Sequence, residues 1–150
     1  CVLVVGGTSG IGHGIALAFA ALGDEVVATG ATAAEVAAAP PVAGLAYQAL
    51  DVRDGDAVAT LVTGLGELDA VVNCAGIIQR GAEHDPAVFA RVLDINLNGT
   101  MRVCAAVRPG LAGAASGFDP GVCELSPAER SRPSRAAAAQ PFRRRHPRYR

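Results

Sequence analysis

An open parallel α/β sheet with helices wound on both faces is the fold this sequence predicts, and three observations predict it. Short apolar, β-branched runs alternate with alanine- and leucine-rich helical stretches through roughly the first two thirds of the 150 residues. The first run, Val2-Leu3-Val4-Val5, passes straight into a glycine-rich turn and then into a helical pattern. Breakers fall between the elements, at Gly23-Asp24 and at Pro40-Pro41.

The elements follow in order. Strands are expected at 1–5, 25–29, 45–50 and 68–73, and helices at about 12–22, 33–38, 54–64 and 86–105. Gly14 inside the first helix costs about 1 kcal/mol relative to Ala. Close packing of that helix on the sheet is one explanation; a position without special function is the other. Around residue 108 the character changes. Before it stand four arginines against eleven acidic side chains; after it stand nine arginines against three. Six of the nine prolines lie in this second part, which holds no four-residue apolar strand run. The expected organisation is therefore a partial domain over 1–107 and an Arg/Pro/Ala-rich tail over 108–150, disordered or read from a shifted frame.

The glycine turn carries the chemistry. Gly6, Gly10 and Gly12 are spaced G-x-x-x-G-x-G, with Thr8, Ser9 and Ile11 between them. Strand, glycine turn and helix in that order form a phosphate cradle. Glycines let the backbone approach a pyrophosphate, and the first helix amides point at the anion, aided by the helix dipole. The spacing is not G-x-G-x-x-G. Nor is it a G-x-x-x-x-G-K-[ST] loop, because all thirteen basic residues are arginine.

This segment resembles the nucleotide loop of the short-chain dehydrogenases/reductases, T-G-x-x-x-G-[IL]-G, with Val5 where that family usually has Thr. Three further stretches match in order. Asp51-Val52 follows the third strand candidate, and the resemblance gives Asp51 the adenine amino group as hydrogen-bond donor. Asn73-Cys74-Ala75-Gly76 is similar to the family's N-N-A-G, with Cys74 for the second Asn; there Asn73 holds the central strand, and small residues make room for the cofactor. Asp94-Ile95-Asn96-Leu97-Asn98-Gly99 resembles the next helix motif, in which Asn96 supports a proton-relay water. Taken singly, Asp51 reads equally as a helix N-cap and Asn73 as a turn residue.

The resemblance implies a Rossmann-type fold and an NAD- or NADP-dependent exchange between an alcohol and a ketone. Cofactor residues would be Gly6, Thr8, Ser9, Gly10, Ile11, Gly12, Asp51, Val52, Asn73, Ala75 and Gly76, and Asn96 would be a supporting catalytic residue. It also implies a small-molecule alcohol or ketone partner and homo-oligomeric full-length relatives. The stretch Ala28-Thr29-Gly30-Ala31-Thr32 after the second strand carries neither the acid of an NAD site nor the Arg of an NADP site, so the choice between them stays open.

The family's proton relay needs a Tyr with a Lys four residues later, the cation favouring the phenolate, and a Ser that polarises the substrate oxygen. The tyrosines here are Tyr47, with Asp51 four residues on, and Tyr149. Without lysine, Y-x-x-x-K does not occur. Ser116 and Ser126 follow no credible strand, so no catalytic Ser is assigned. The chain as given is expected to be inactive, and a frame correction downstream of about Val107 is expected to restore the missing motif. The alternative is a nucleotide-binding remnant without turnover. Binding of S-adenosylmethionine on a similar turn is disfavoured by the Asn73–Gly76 and Asp94–Gly99 motifs.

The remaining composition excludes other classes. No apolar run approaches the roughly 20 residues that span a bilayer. Cys1, Cys74, Cys104 and Cys123 lack metal-ligand spacing, so neither a metal nor a disulfide framework is expected, and the thiols fit a cytoplasmic protein. The arginines near the end are interleaved only with Phe142 and Tyr149, which is thin support for nucleic-acid binding. No signal sequence is expected. The chain opens on Cys1 rather than Met, so the natural start is expected upstream.

Overall fold

The computed structural model describes residues 1–112. Four strands, β1 (Val2–Val5), β2 (Val26–Gly30), β3 (Leu45–Ala49) and β4 (Ala70–Asn73), form one sheet in the order β3-β2-β1-β4. All three pairings are parallel, with Val5 beside Thr29 on one side and Asn73 on the other. The connections are α1 (Gly10–Ala21), α2 (Ala33–Ala38) and α3 (Gly55–Leu65). After β4, α4 (Pro86–Leu93) runs through a π turn (Asp94–Asn98) into α5 (Gly99–Ala112). This is the expected doubly wound parallel sheet.

β1 is buried along its whole length, and its alternation divides the core. Val2 and Val4 face Ala16 of α1 together with Val26, Ala28 and Leu45. Leu3 and Val5 face the other side, where Val58 and Leu61 of α3 meet Val103 and Val107 of α5. A strand covered on both faces needs no polar alternation, which is why β1 reads as a continuous apolar run.

Element boundaries agree with the expected ones to within two residues, with one exception. The expected helix 86–105 contains the π turn and extends to Ala112. Pro109 does not end it, because Val103, Val107 and Leu111 continue one apolar stripe at four-residue spacing onto the α3 side of the core. The helix thus crosses residue 107, where the charge pattern changes. The Arg/Pro-rich segment beyond 112, with Ser116, Cys123, Ser126 and Tyr149, lies outside the described residues. Gly14 is exposed, and a side chain there would meet nothing within 4 Å, so close helix–sheet packing does not explain it. No helix among the described residues is long and apolar enough to cross a membrane.

Candidate functional site

In a parallel sheet every strand delivers its following loop to the same edge, and here those loops enclose a groove. Its volume is about 710 Å³, within the range of small-molecule sites. The turn after β1 supplies Gly6, Thr8, Ser9, Gly10, Ile11 and Gly12; the turn after β2 supplies Ala31 and Thr32. The loop after β3 supplies Asp51 and Val52, and the loop after β4 supplies Cys74, Ala75, Gly76 and Ile77.

The glycine turn is held by backbone contacts that exclude side chains. Gly6 has φ +78°, and a Cβ there would lie 2.7 Å from the Ala75 nitrogen. A Cβ on Gly12 would lie 2.2 Å from the Gly6 carbonyl oxygen and 3.1 Å from Cys74 Cβ. The turn is tied to β2 through the Gly7 amide, which donates to the Thr29 carbonyl (2.8 Å), and the Gly6 amide, which donates to Thr29 Oγ1 (3.3 Å). Gly10, at φ +57°, faces open space. Thr32, Asp54 and Asp85 cap the N-termini of α2, α3 and α4, whereas Ser9 makes no side-chain cap on α1. The first-turn amides of α1 have no intrahelical partner, and their residues line the groove. Small residues, uncapped amides and a groove of this size fit the diphosphate of a dinucleotide.

Ten of the eleven expected cofactor residues line this groove. Asn73 instead stands behind it. Its Nδ2 donates to Thr100 Oγ1 at 2.7 Å, and its Oδ1 accepts from the Ala75 amide at 3.4 Å. Thr100 in turn donates to the Asn96 carbonyl at 2.7 Å. Asn96 clamps the loop after β4, accepting from the Ile77 amide at 2.8 Å and donating to the Ile77 carbonyl at 3.0 Å. The π turn brings Asn96 and Thr100 into one chain of bonds with the end of β4.

Asp51 does not cap α3; Asp54 does. The Asp51 carboxylate is gripped by Arg53, with Nε 3.0 Å from each oxygen and Nη2 2.6 Å from Oδ2. That guanidinium holds the Asp51 carboxyl below the ordinary carboxylate value. Asp94, bonded by Arg102 and Asn98, is likewise lowered. Burial pushes the Cys74 thiol up. Tyr47 belongs to another region: its hydroxyl is 3.0 Å from His13 Nε2, and it packs in the α1-side cluster. Among the described residues, no three His, Cys, Asp or Glu side chains gather where a metal ion would sit.

Sequence reading missed Thr29, Glu35, Arg53, Arg91, Ile77 and Ile95, all of which line the groove. One of them had a legible signal. Thr32-x-x-Glu35 is the pattern of a capping box, and Thr32 Oγ1 accepts from the Glu35 amide at 3.2 Å.

The family profile described as short chain dehydrogenase matches residues 1–118. The chain belongs to that family. It is 36% identical over 114 residues to 2-keto-3-deoxy-L-fuconate dehydrogenase of Xanthomonas campestris pv. campestris, covering 74% of this chain and 38% of that protein. It is 34% identical over 131 residues to sulfoacetaldehyde reductase of Chromohalobacter salexigens, covering 78% and 51%. Among solved structures, serine dehydrogenase from Escherichia coli superposes with a TM-score of 0.66 at 28% identity, over 75% of this chain and 56% of that one. A short-chain type dehydrogenase/reductase from Mycobacterium ulcerans gives 0.65 at 32% identity, over 75% and 47%. The chain spans about half or less of each curated relative named here, and about half of each solved structure.

Proposed function

We propose that residues 1–107 are the dinucleotide-binding part of an NAD(P)-dependent oxidoreductase acting on an alcohol/ketone pair, and that the 150-residue chain binds the cofactor without turning substrate over. The observation that carries the binding half is the groove itself. Uncapped α1 amides, the Gly6–Gly12 turn, Asp51 and the Ala75–Gly76 segment line one space at the carboxyl ends of four parallel strands. Gly6 and the first turn of α1 would hold the diphosphate, and Asp51 with Val52 would border the adenine. The segment at Gly76, positioned by Asn96, would border the reacting ring.

When bound, the nicotinamide supplies hydride exchange with the carbinol carbon. The oxygen must also lose a proton in oxidation or gain one in reduction, and a general base or acid of the protein speeds that transfer. Asn96 supports position only, since both ends of its amide are engaged with Ile77. The sequence holds no lysine to lower a tyrosine pKa, and Tyr47, bonded to His13, is not among the residues that line the groove. General acid/base assistance of this kind is worth roughly 10²–10⁴-fold. A small-molecule alcohol or ketone, a cytoplasmic setting and homo-oligomeric full-length relatives complete the proposal; neither a metal nor nucleic acid has a role in it.

The test is to titrate the purified 150-residue chain with NADH and NADPH by nucleotide fluorescence, then assay it with both oxidised and reduced cofactors against secondary alcohols and ketones. Saturable binding without turnover above background is expected. Failure to bind either nucleotide overturns the proposal. Turnover overturns its non-catalytic half.

A further inference from the structure

Resting on the dinucleotide reading of the groove, we infer that Glu35 is the residue that reads the adenosine ribose, and that it sets a preference for NAD(H) over NADP(H). An acid that binds the ribose hydroxyls usually comes from the end of the second strand. That place is closed to side chains here. β2 ends on the buried Gly30, where a Cβ would lie 2.8–2.9 Å from Thr8 and 3.0 Å from Glu35 Cβ. The space beside the strand end is already filled, on one side by the glycine turn and on the other by Glu35.

Glu35 reaches that corner from the first turn of α2. Its amide donates to Thr32 Oγ1, and its Oε2 accepts from the Ala31 amide at 2.8 Å. The second bond turns the side chain back toward the end of β2, and Glu35 lines the groove with Thr8, Ala31 and Thr32. Among the described residues nothing bonds Oε1, so one carboxylate oxygen is available to accept from a ribose hydroxyl.

The same arrangement opposes a 2′-phosphate. That group carries nearly two negative charges at neutral pH, and Glu35 presents a third. The carboxylate also occupies the Ala31 amide, a donor the phosphate would otherwise use. Of the two arginines that line the groove among the described residues, Arg53 is committed to Asp51 through Nε and Nη2, and Arg91 enters from α4, beyond β4 in the chain. Neither residue 31 nor any residue of α2 supplies a cation.

The experiment is a fluorescence titration of the 150-residue chain with NADH and with NADPH, repeated on Glu35→Gln, with circular dichroism to establish that the variant folds. Gln keeps an acceptor for the Ala31 amide and removes the charge. NADH should bind at least about tenfold more tightly than NADPH, a gap that one charge-assisted hydrogen bond and one like-charge contact suffice to produce. In Glu35→Gln the gap should fall to roughly threefold or less, chiefly through tighter NADPH binding. NADPH binding as tightly as NADH to the parent chain overturns the inference and leaves the groove assignment standing; that ratio decides even if the variant does not fold. An unchanged gap in folded Glu35→Gln removes Glu35 from the role. Binding of neither nucleotide overturns this inference together with the function proposed above.

Discussion

Two glycines of α1, two residues apart, should respond to the same substitution with opposite signs. Gly12→Ala and Gly14→Ala each gain the helix preference of alanine, up to about 1 kcal/mol. At Gly14 that is the whole effect, because the new methyl meets nothing within 4 Å. At Gly12 the methyl falls 2.2 Å from the Gly6 carbonyl oxygen. Real Cβ contacts do not come under 3.0 Å, so the backbone must give by at least about 0.8 Å. The yielding atom is main chain in a turn anchored to Thr29 through both the Gly6 and Gly7 amides, and Cys74 Cβ blocks the other direction at 3.1 Å. Overpacking against such a wall costs about 3 kcal/mol, which leaves a net loss of about 2 kcal/mol. At roughly 4 °C per kcal/mol for a domain of this size, Gly12→Ala should melt about 8 °C below the parent chain. Gly14→Ala should melt about 3 °C above it. Thermal unfolding followed by circular dichroism at 222 nm reads both. Equal stability of Gly12→Ala and the parent, or a loss in Gly14→Ala, would refute the steric reasoning.

Thr100→Val removes the hydroxyl that joins Asn73 to the Asn96 carbonyl. Leaving the Asn73 donor without its partner should cost about 1–2 kcal/mol in chemical denaturation. Asn96→Ala should leave global stability within about 1 kcal/mol of the parent while hydrogen exchange at the Ile77 amide, now without its acceptor, speeds up severalfold. The Asp51 carboxyl, held low by Arg53, should titrate below the ordinary value of 3.8 in a carboxyl-detected NMR experiment and return toward it in Arg53→Ala. Because the folded pKa is the lower one, the stabilisation from this exposed pair is present above the unfolded pKa. It is lost as pH falls through the folded pKa.

Much of this arrangement was legible because parallel sheets write themselves plainly. β1 is apolar at every position since both faces are covered, and at Gly6 and Gly12 in the turn that follows a side chain would run into the backbone. The motif residues Asp51, Ala75 and Gly76 fall in one groove because strand ends are collinear. Contacts between elements were harder to see. Gly12 read as clearance for a pyrophosphate, but its Cβ direction is filled first by the turn's own carbonyl. Asp51 read as an open acceptor, although Arg53 stands two residues away and grips it. Asn73, expected both to hold the central strand and to stand among the cofactor residues, ties the end of β4 to Thr100 and does not line the groove. Glu35 was passed over because the search for an acid stopped at Thr32, while its side chain reaches back from the first turn of α2 to the Ala31 amide. The last helix was expected to end at about 105, whereas the stripe through Val107 and Leu111 carries it on past Pro109.

The central claim is that the first turn of α1 and the loops after β3 and β4 hold one dinucleotide. Amide chemical-shift mapping of the labelled 150-residue chain, during titration with ADP-ribose, tests it most directly. The claim predicts saturable shifts confined to the groove: the Gly10, Ile11 and Gly12 amides for the diphosphate, Val52 for the adenine side, and Ala31 beside the ribose. Phe19 and Ala20, partly buried against the α1-side cluster, should stay still. Saturable shifts elsewhere, or none at Gly10–Gly12, would contradict it.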